Sequence, residues 1–303
     1  MSKKRKNAQK KSTNRSSTHS HQNMTASDNG NDNSIRKKRF DSFPLHLVSN
    51  VGYAGKDNSG ELRELCKGRV WVIPSFFSHK ECRAWVDYCE SFSSSNGENG
   101  FKYTAHPASK YVANRECHRL QQENATELSE RIFERLRGMT VRTTDSGDEN
   151  DNDDKGSILV QLQKETADLY PSIKSRNGKQ AIEYKPINCN PNIRVYRYDE
   201  GHAFGRHVDG SNLVPGRRGG TTEMTMLIYL STCQGGATRF HRSAMGGGRR
   251  SRQQMSSSSF GFEPQVGALL LHVHGKHCLE HEADVVLGGQ KYVLRTDLVY
   301  GNE

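Results

Sequence analysis

The residues best placed to do chemistry together are His207 and Asp209, which close the segment NIRVYRYDEGHAFGRHVD beginning at Asn192. On an extended strand, residues two apart point to the same face, so an imidazole and a carboxylate can reach one cation. A second imidazole must come from further along, where His272, His274, His277 and His281 are all candidates. His272 and His274 fall in or at the end of an apolar run, where a histidine is more often a packing residue; His277 follows the Gly275-Lys276 turn. His281 starts a segment leading into a strand at Lys291 and is the favoured third ligand, ahead of His277. Two histidines and one carboxylate on one face of a metal leave the opposite positions open, a donor set suited to Fe(II) and to oxidation by dioxygen.

The elements that must hold these groups can be read from periodicity. Val70 to Pro74 reads as a short strand ended by proline. Ser78 with Glu81 forms a capping box, and Cys82, Trp85, Val86 and Cys89 share one helical face behind it. A second helix is expected from Ala125 to Arg137, burying Leu128, Ile132, Phe133 and Leu136. Strands follow: Ile193 to Tyr198 alternates, and Glu223 to Leu230, Val266 to Val273 and Tyr292 to Tyr300 are further runs. Helices first and strands afterwards give a mainly β, α+β class, an antiparallel β architecture buttressed by N-terminal helices. Order is expected to begin near Arg69, with 42–68 a linker or partly ordered lead-in and 69–303 the catalytic domain. Two polar stretches, 143–157 and 245–259, read as flexible insertions, the first acidic and the second rich in Gly, Arg and Ser.

Composition narrows the partners. Residues 1–41 lack hydrophobic periodicity and read as a disordered basic tail; the first forty carry eleven Lys/Arg against Asp28 and Asp32, nearly all of the net charge of +10. The clusters Lys3-Lys4-Arg5-Lys6 and Arg36-Lys37-Lys38-Arg39 are of the nuclear-import or polyanion type. The remainder is close to neutral, so contact with nucleic acid is expected through the tail only. Mean hydropathy is -0.85. No stretch approaches the ~18–20 apolar residues that span a bilayer, and the N-terminus has no apolar signal core. Seven cysteines without a Cys-x-x-Cys pair argue for a reducing compartment, hence an intracellular protein, cytoplasmic or nuclear.

The stretch Arg197-Tyr198-Asp199-Glu200-Gly201-x-x-Phe204-x-x-His207-x-Asp209 resembles the metal-binding strand of prolyl 4-hydroxylase-type 2-oxoglutarate/Fe(II) dioxygenases. Leu227-Ile228-Tyr229-Leu230 with Gly235-Gly236-Ala237-Thr238-Arg239-Phe240 is similar to that family's Tyr-Leu-Asn…Gly-Gly-x-Thr-x-Phe hairpin, with Ser231 where Asn is usual. Gly267 to Leu271 resembles its Gly-x-Ala-Leu-Leu-Phe strand, and Ile73 to Ser78 its entry segment. The resemblance covers residues 69–303 apart from the insertions.

The resemblance implies a double-stranded β-helix (jelly-roll, cupin-like) core, Fe(II) on His207, Asp209 and His281, and 2-oxoglutarate as co-substrate with ascorbate as reductant. It also implies hydroxylation of a C–H bond with release of succinate and carbon dioxide, a prolyl residue of an intracellular protein being the leading substrate. Lys291, Val293 and Arg295 share a strand face, so Lys291 or Arg295 can take the far carboxylate of 2-oxoglutarate. Family spacing favours Lys291, with Tyr198 as hydroxyl donor and Thr225 and Thr238 as further lining. A nucleic-acid dealkylating oxygenase and an inactive adaptor on the same fold are the competing readings. Oligomeric state is not readable from the chain.

Overall fold

The computed structural model describes residues 40–49, 59–92, 100–110, 112–141, 156–170, 173–174, 181–215, 220–242 and 258–302. The two basic clusters and most of the insertions expected at 143–157 and 245–259 lie outside the described residues. Strands β1 (Arg63–Cys66) and β2 (Val70–Ile73) form a hairpin, followed by helix α1 (His79–Glu90). A second hairpin, β3 (Lys102–His106) and β4 (Arg115–Gln122), precedes helices α2 (Thr126–Arg137) and α3 (Ile158–Glu165). Strand β5 (Lys185–Cys189) then leads into eight strands. These are β6 (Ile193–Tyr198), β7 (Phe204–His207), β8 (Thr221–Tyr229) and β9 (Thr238–His241), then β10 (Ser259–Phe262), β11 (Leu269–Val273), β12 (Glu280–Ala283) and β13 (Lys291–Gly301).

Hydrogen-bonded neighbours run β10-β9-β12-β7-β4-β6-β13-β8-β11-β2-β1, with β3 on β4 and β5 on β13. Strands β6, β13, β8 and β11 therefore lie together, and β7, β12, β9 and β10 form the facing set, every pair antiparallel. Successive strands crossing between two such four-stranded sets make the double-stranded β-helix. Strand β4 bridges the sets by pairing with both β6 and β7.

The larger set is buried on both faces. Val195, Met224, Met226, Leu271, Val273, Leu294 and Leu298 point to the helices and share one core with Trp85 of α1 and Ile132 and Leu136 of α2. Each such side chain contributes roughly 1.5–3 kcal/mol by leaving water. Helix α1 starts as expected: the Ser78 hydroxyl accepts from the Glu81 N–H, and the Glu81 carboxylate accepts from the Ser78 N–H. Glu81 also pairs with Arg135 of α2 at 2.5 Å, both side chains being buried, which ties the two helices together. Burial opposes ionisation of Glu81, yet Arg135 and the N–H groups of Ser78 and Ser49 outweigh it and hold the carboxyl at about 2.

The fold begins earlier than Arg69. Phe43, Leu47 and Val48 are buried in the helix-side core, and β1 pairs with β2. These apolar residues are isolated in a polar stretch and show no period to read. Strands also interleave with the helices, since β3 and β4 precede α2. Among the described residues no helix is long and apolar enough to cross a membrane.

Candidate active site

The other face of the large set closes over a cleft. Because side chains alternate, the same strands that send leucines to the helices send Tyr196 and Tyr198 (β6), Thr225 and Leu227 (β8), His272 (β11) and Lys291, Val293 and Arg295 (β13) into it. From the facing set come Phe204 and His207 (β7), Thr238 (β9) and His281 (β12), and Asp209 closes the lining.

His207 and His281 are cross-strand partners in the β7–β12 ladder, and their ring centroids are 4.3 Å apart. Asp209 lies just past the end of β7. Its carbonyl accepts from the Gly275 N–H, which turns its side chain back towards the two rings. The donor atoms of His207, Asp209 and His281 all fall within 4.8 Å of one another. The Nδ1 atoms of His207 and His281 sit 2.8 and 2.9 Å from the Gly205 and Leu279 carbonyls. Each Nδ1–H donates there, so each Nε2 carries its lone pair inward. Those lone pairs face the Asp209 carboxylate at 3.9 and 3.7 Å. Electron-rich atoms turned on each other at such distances, without a proton between, suit a cation in their midst; the residues fit a divalent metal.

Electrostatics keeps all three in the ligand-ready state. Burial holds the His207 imidazole down at about 4, helped by His281 and opposed by Asp209. Burial likewise lowers His281, against the pull of Asp209. Burial pushes Asp209 up, but Arg295, His272, His281 and the Thr225 hydroxyl together hold it well below the usual carboxylate range. Thr225 donates to Asp209 at 2.6 Å, and Arg295 reaches the same oxygen at 3.0 Å.

Lys291 is only 2% exposed, and burial lowers its ammonium to about 8. Its Nζ donates to the Gly236 carbonyl at 2.6 Å and stands 5.5 Å from the centre of the Tyr198 ring. No carboxylate of the described residues lies in salt-bridge range of it, and the Tyr198 hydroxyl has no hydrogen-bond partner among them. Arg295 is differently occupied: it contacts Asp209, Thr225 and, at 3.3 Å, Asp297. Lys291 and Arg295 share a face, as alternation predicts, but the first has no acid partner among the described residues and the second is tied to Asp209. Thr225 sits beside Asp209 and bonds His274 at 2.7 Å, while Thr238 bonds the Tyr229 hydroxyl at 2.7 Å. His274 and His277 stand apart from the cleft lining.

Sequence reasoning missed Arg115. It comes from β4 and lies 3.7 Å over the Phe204 ring, whose own stacking distance to His207 is 3.8 Å. Nothing in its polar neighbourhood marked a strand.

Residues 193–296 match the model of the 2OG-Fe(II) oxygenase superfamily. The chain carries a 2OG-Fe(II) oxygenase domain. The oxygenase is a 2-oxoglutarate-dependent dioxygenase, and the matched segment contains His207, Asp209, His281 and Lys291. No curated protein matches it by sequence. Among solved structures it is similar to the viral collagen prolyl hydroxylase of Paramecium Bursaria Chlorella virus-1, with 14% identity, 78% of this chain and 99% of that one covered, and a TM-score of 0.37. It is also similar to a prolyl hydroxylase of Trichoplax adhaerens in complex with a hypoxia inducible factor oxygen degradation domain peptide, with 14% identity, 78% and 84% covered, and a TM-score of 0.42. A third is SnoK, an alpha ketoglutarate dependent carbocyclase from nogalamycin biosynthesis, with 12% identity, 77% and 80% covered, and a TM-score of 0.45. The assignment rests on the family match and on the geometry of the cleft.

Proposed function

We propose that this oxygenase hydroxylates a C–H bond of a prolyl residue in an intracellular protein, cytoplasmic or nuclear, converting 2-oxoglutarate to succinate and carbon dioxide. One observation carries the reading: a cleft with two inward-facing Nε2 atoms and a carboxylate on its lining also holds a buried ammonium without an acid partner. Fe(II) held by His207, Asp209 and His281, with 2-oxoglutarate and dioxygen, supplies the oxidant. Lys291 takes the far carboxylate of the co-substrate, with the Tyr198 hydroxyl donating beside it. The apolar edges of Leu227 and Val293 exclude water between the two ends, which strengthens that ion pair. Arg295 and Thr225 hold Asp209 ionised and oriented. Ascorbate is the expected reductant for metal oxidised in unproductive turnover.

The resemblance of Arg197 to Asp209 to the metal-binding strand of prolyl 4-hydroxylase-type enzymes supports a protein substrate. Anaerobic titration with Fe(II) and 2-oxoglutarate tests the reaction class by the visible charge-transfer band of the chelate. His207→Ala or Asp209→Ala removes the band. Succinate release stimulated by proline-containing peptides, and not by alkylated oligonucleotides, tests the substrate class; the reverse pattern transfers the reading to nucleic-acid dealkylation.

A further inference from the structure

His272 is 2% exposed, and its Nε2 is buried without a hydrogen-bond partner. It projects from β11 into the same cleft, 3.6 Å from Oδ2 of Asp209, and its ring centroid is 4.4 Å from that of His281. In the register of the large set it stands beside Thr225, which in turn stands beside Asp297.

An unpartnered nitrogen so deeply buried is costly unless something occupies it. Hydrogen bonding to Asp209 does not meet that need, because 3.6 Å is beyond a real N–H···O contact. Among the described residues, Nδ1 lies 3.4 Å from the Val273 carbonyl and 4.0 Å from Sγ of Cys278. With the ring proton on that side, the Nε2 lone pair faces the carboxylate just as those of His207 and His281 do. The separation from Asp209 is shorter than either of theirs, 3.6 against 3.9 and 3.7 Å. Donors bound to one ion at about 2.1 Å stand roughly 3–4 Å apart, and the 3.6 Å from His272 to Asp209 falls in that range.

We propose that His272 is a fourth protein donor to the metal, bound while 2-oxoglutarate is absent and displaced when it chelates. An octahedral ion with three protein ligands has room for a bidentate acid and dioxygen; a fourth donor fills one of those places. The protein thereby holds its metal firmly at rest and binds co-substrate at the cost of one bond. The inference rests on the metal-centre reading above and extends it to a residue which that reading leaves idle.

The test uses the full chain and Co(II), a spectroscopic stand-in for Fe(II), without 2-oxoglutarate. His272→Phe lowers Co(II) affinity by about tenfold or more, equivalent to about 1.4 kcal/mol, alters the visible Co(II) spectrum, and raises the affinity of the loaded protein for 2-oxoglutarate. His272→Gln keeps a hydrogen-bonding side chain and shows the same spectral change. Unchanged affinity and spectrum in His272→Phe overturn the proposal alone, as does wild-type affinity and spectrum in His272→Gln. Failure of the wild-type protein to bind Co(II), with His207→Ala indistinguishable from it, overturns the proposal together with the reading it rests on. Circular dichroism of each variant checks that the fold is retained.

Discussion

The two faces of the β6-β13-β8-β11 set are built from alternate residues of the same strands, yet they differ in almost every physical respect. The helix-side face is apolar and filled: Leu271, Leu294 and Leu298 are completely buried. The cleft-side face is equally dry but polar, with Thr225, His272, Lys291 and Asp297 all under 5% exposed. One face lowers the free energy of folding; the other spends part of that stability to keep charges and lone pairs out of water, where each interacts more strongly. The separation between holding the fold and doing chemistry is thus a shift of one residue along a strand.

The sharpest break of this comparison is His207→Ala or Asp209→Ala. Both abolish turnover, by about 1,000-fold or more (about 4 kcal/mol), measured as succinate release, while the thermal midpoint stays near wild type. Leu271→Ala on the opposite face does the converse. It costs about 2–5 kcal/mol in urea unfolding, and activity per folded molecule is unchanged. Next is Glu81→Gln, which removes the acid partner of buried Arg135 and destabilises by about 3 kcal/mol. Unfolded, this carboxyl takes up its proton near 4.5, and folded only at about 2. Its contribution is therefore complete above 4.5 and disappears as pH falls towards 2, a loss that pH-dependent unfolding shows in wild type and not in the variant.

Lys291→Ala weakens 2-oxoglutarate binding by about 10–100-fold, read as KM, with partial recovery in Lys291→Arg. Because burial lowers this ammonium to about 8, wild-type affinity for the dianion falls as pH rises through that value, and the arginine variant lacks the fall. The smallest effect is Gly201→Ala. The turn between β6 and β7 places Gly201 at φ 85°, with open space where a Cβ would stand. The cost is backbone strain alone, about 1 kcal/mol.

Much of this was legible because alternation and helical period survive in single sequences. Ile193 to Tyr198, the capping box at Ser78 and the α2 stripe were read directly. So was the pairing of His207 with Asp209, although Asp209 lies beyond the strand and depends on its backbone bond to Gly275. Strand β4 was not legible, since RECHRLQQ is polar except at Cys117 and Leu120, the two residues it buries fully. Helix α3 was hidden behind an acidic stretch. The division of labour between Lys291 and Arg295 could not be read either, because it depends on which side chains the neighbouring strands bring opposite them. His272 is set aside in the sequence for a sound reason, the apolar residues on either side of it; strand alternation sends those to the helix side and His272 to the cleft.

The pairing of His207 with His281 has a mechanical consequence. β7 and β12 are short, far apart in the chain, and joined by ladder hydrogen bonds whose register shifts between Phe204 and His207. An ion held, as proposed, by one ring from each strand would act as a rivet across that irregular seam. Chelation should therefore let the small sheet unzip first, exposing the Phe204–His207 backbone to solvent exchange and proteases while the helix-backed sheet stays shut.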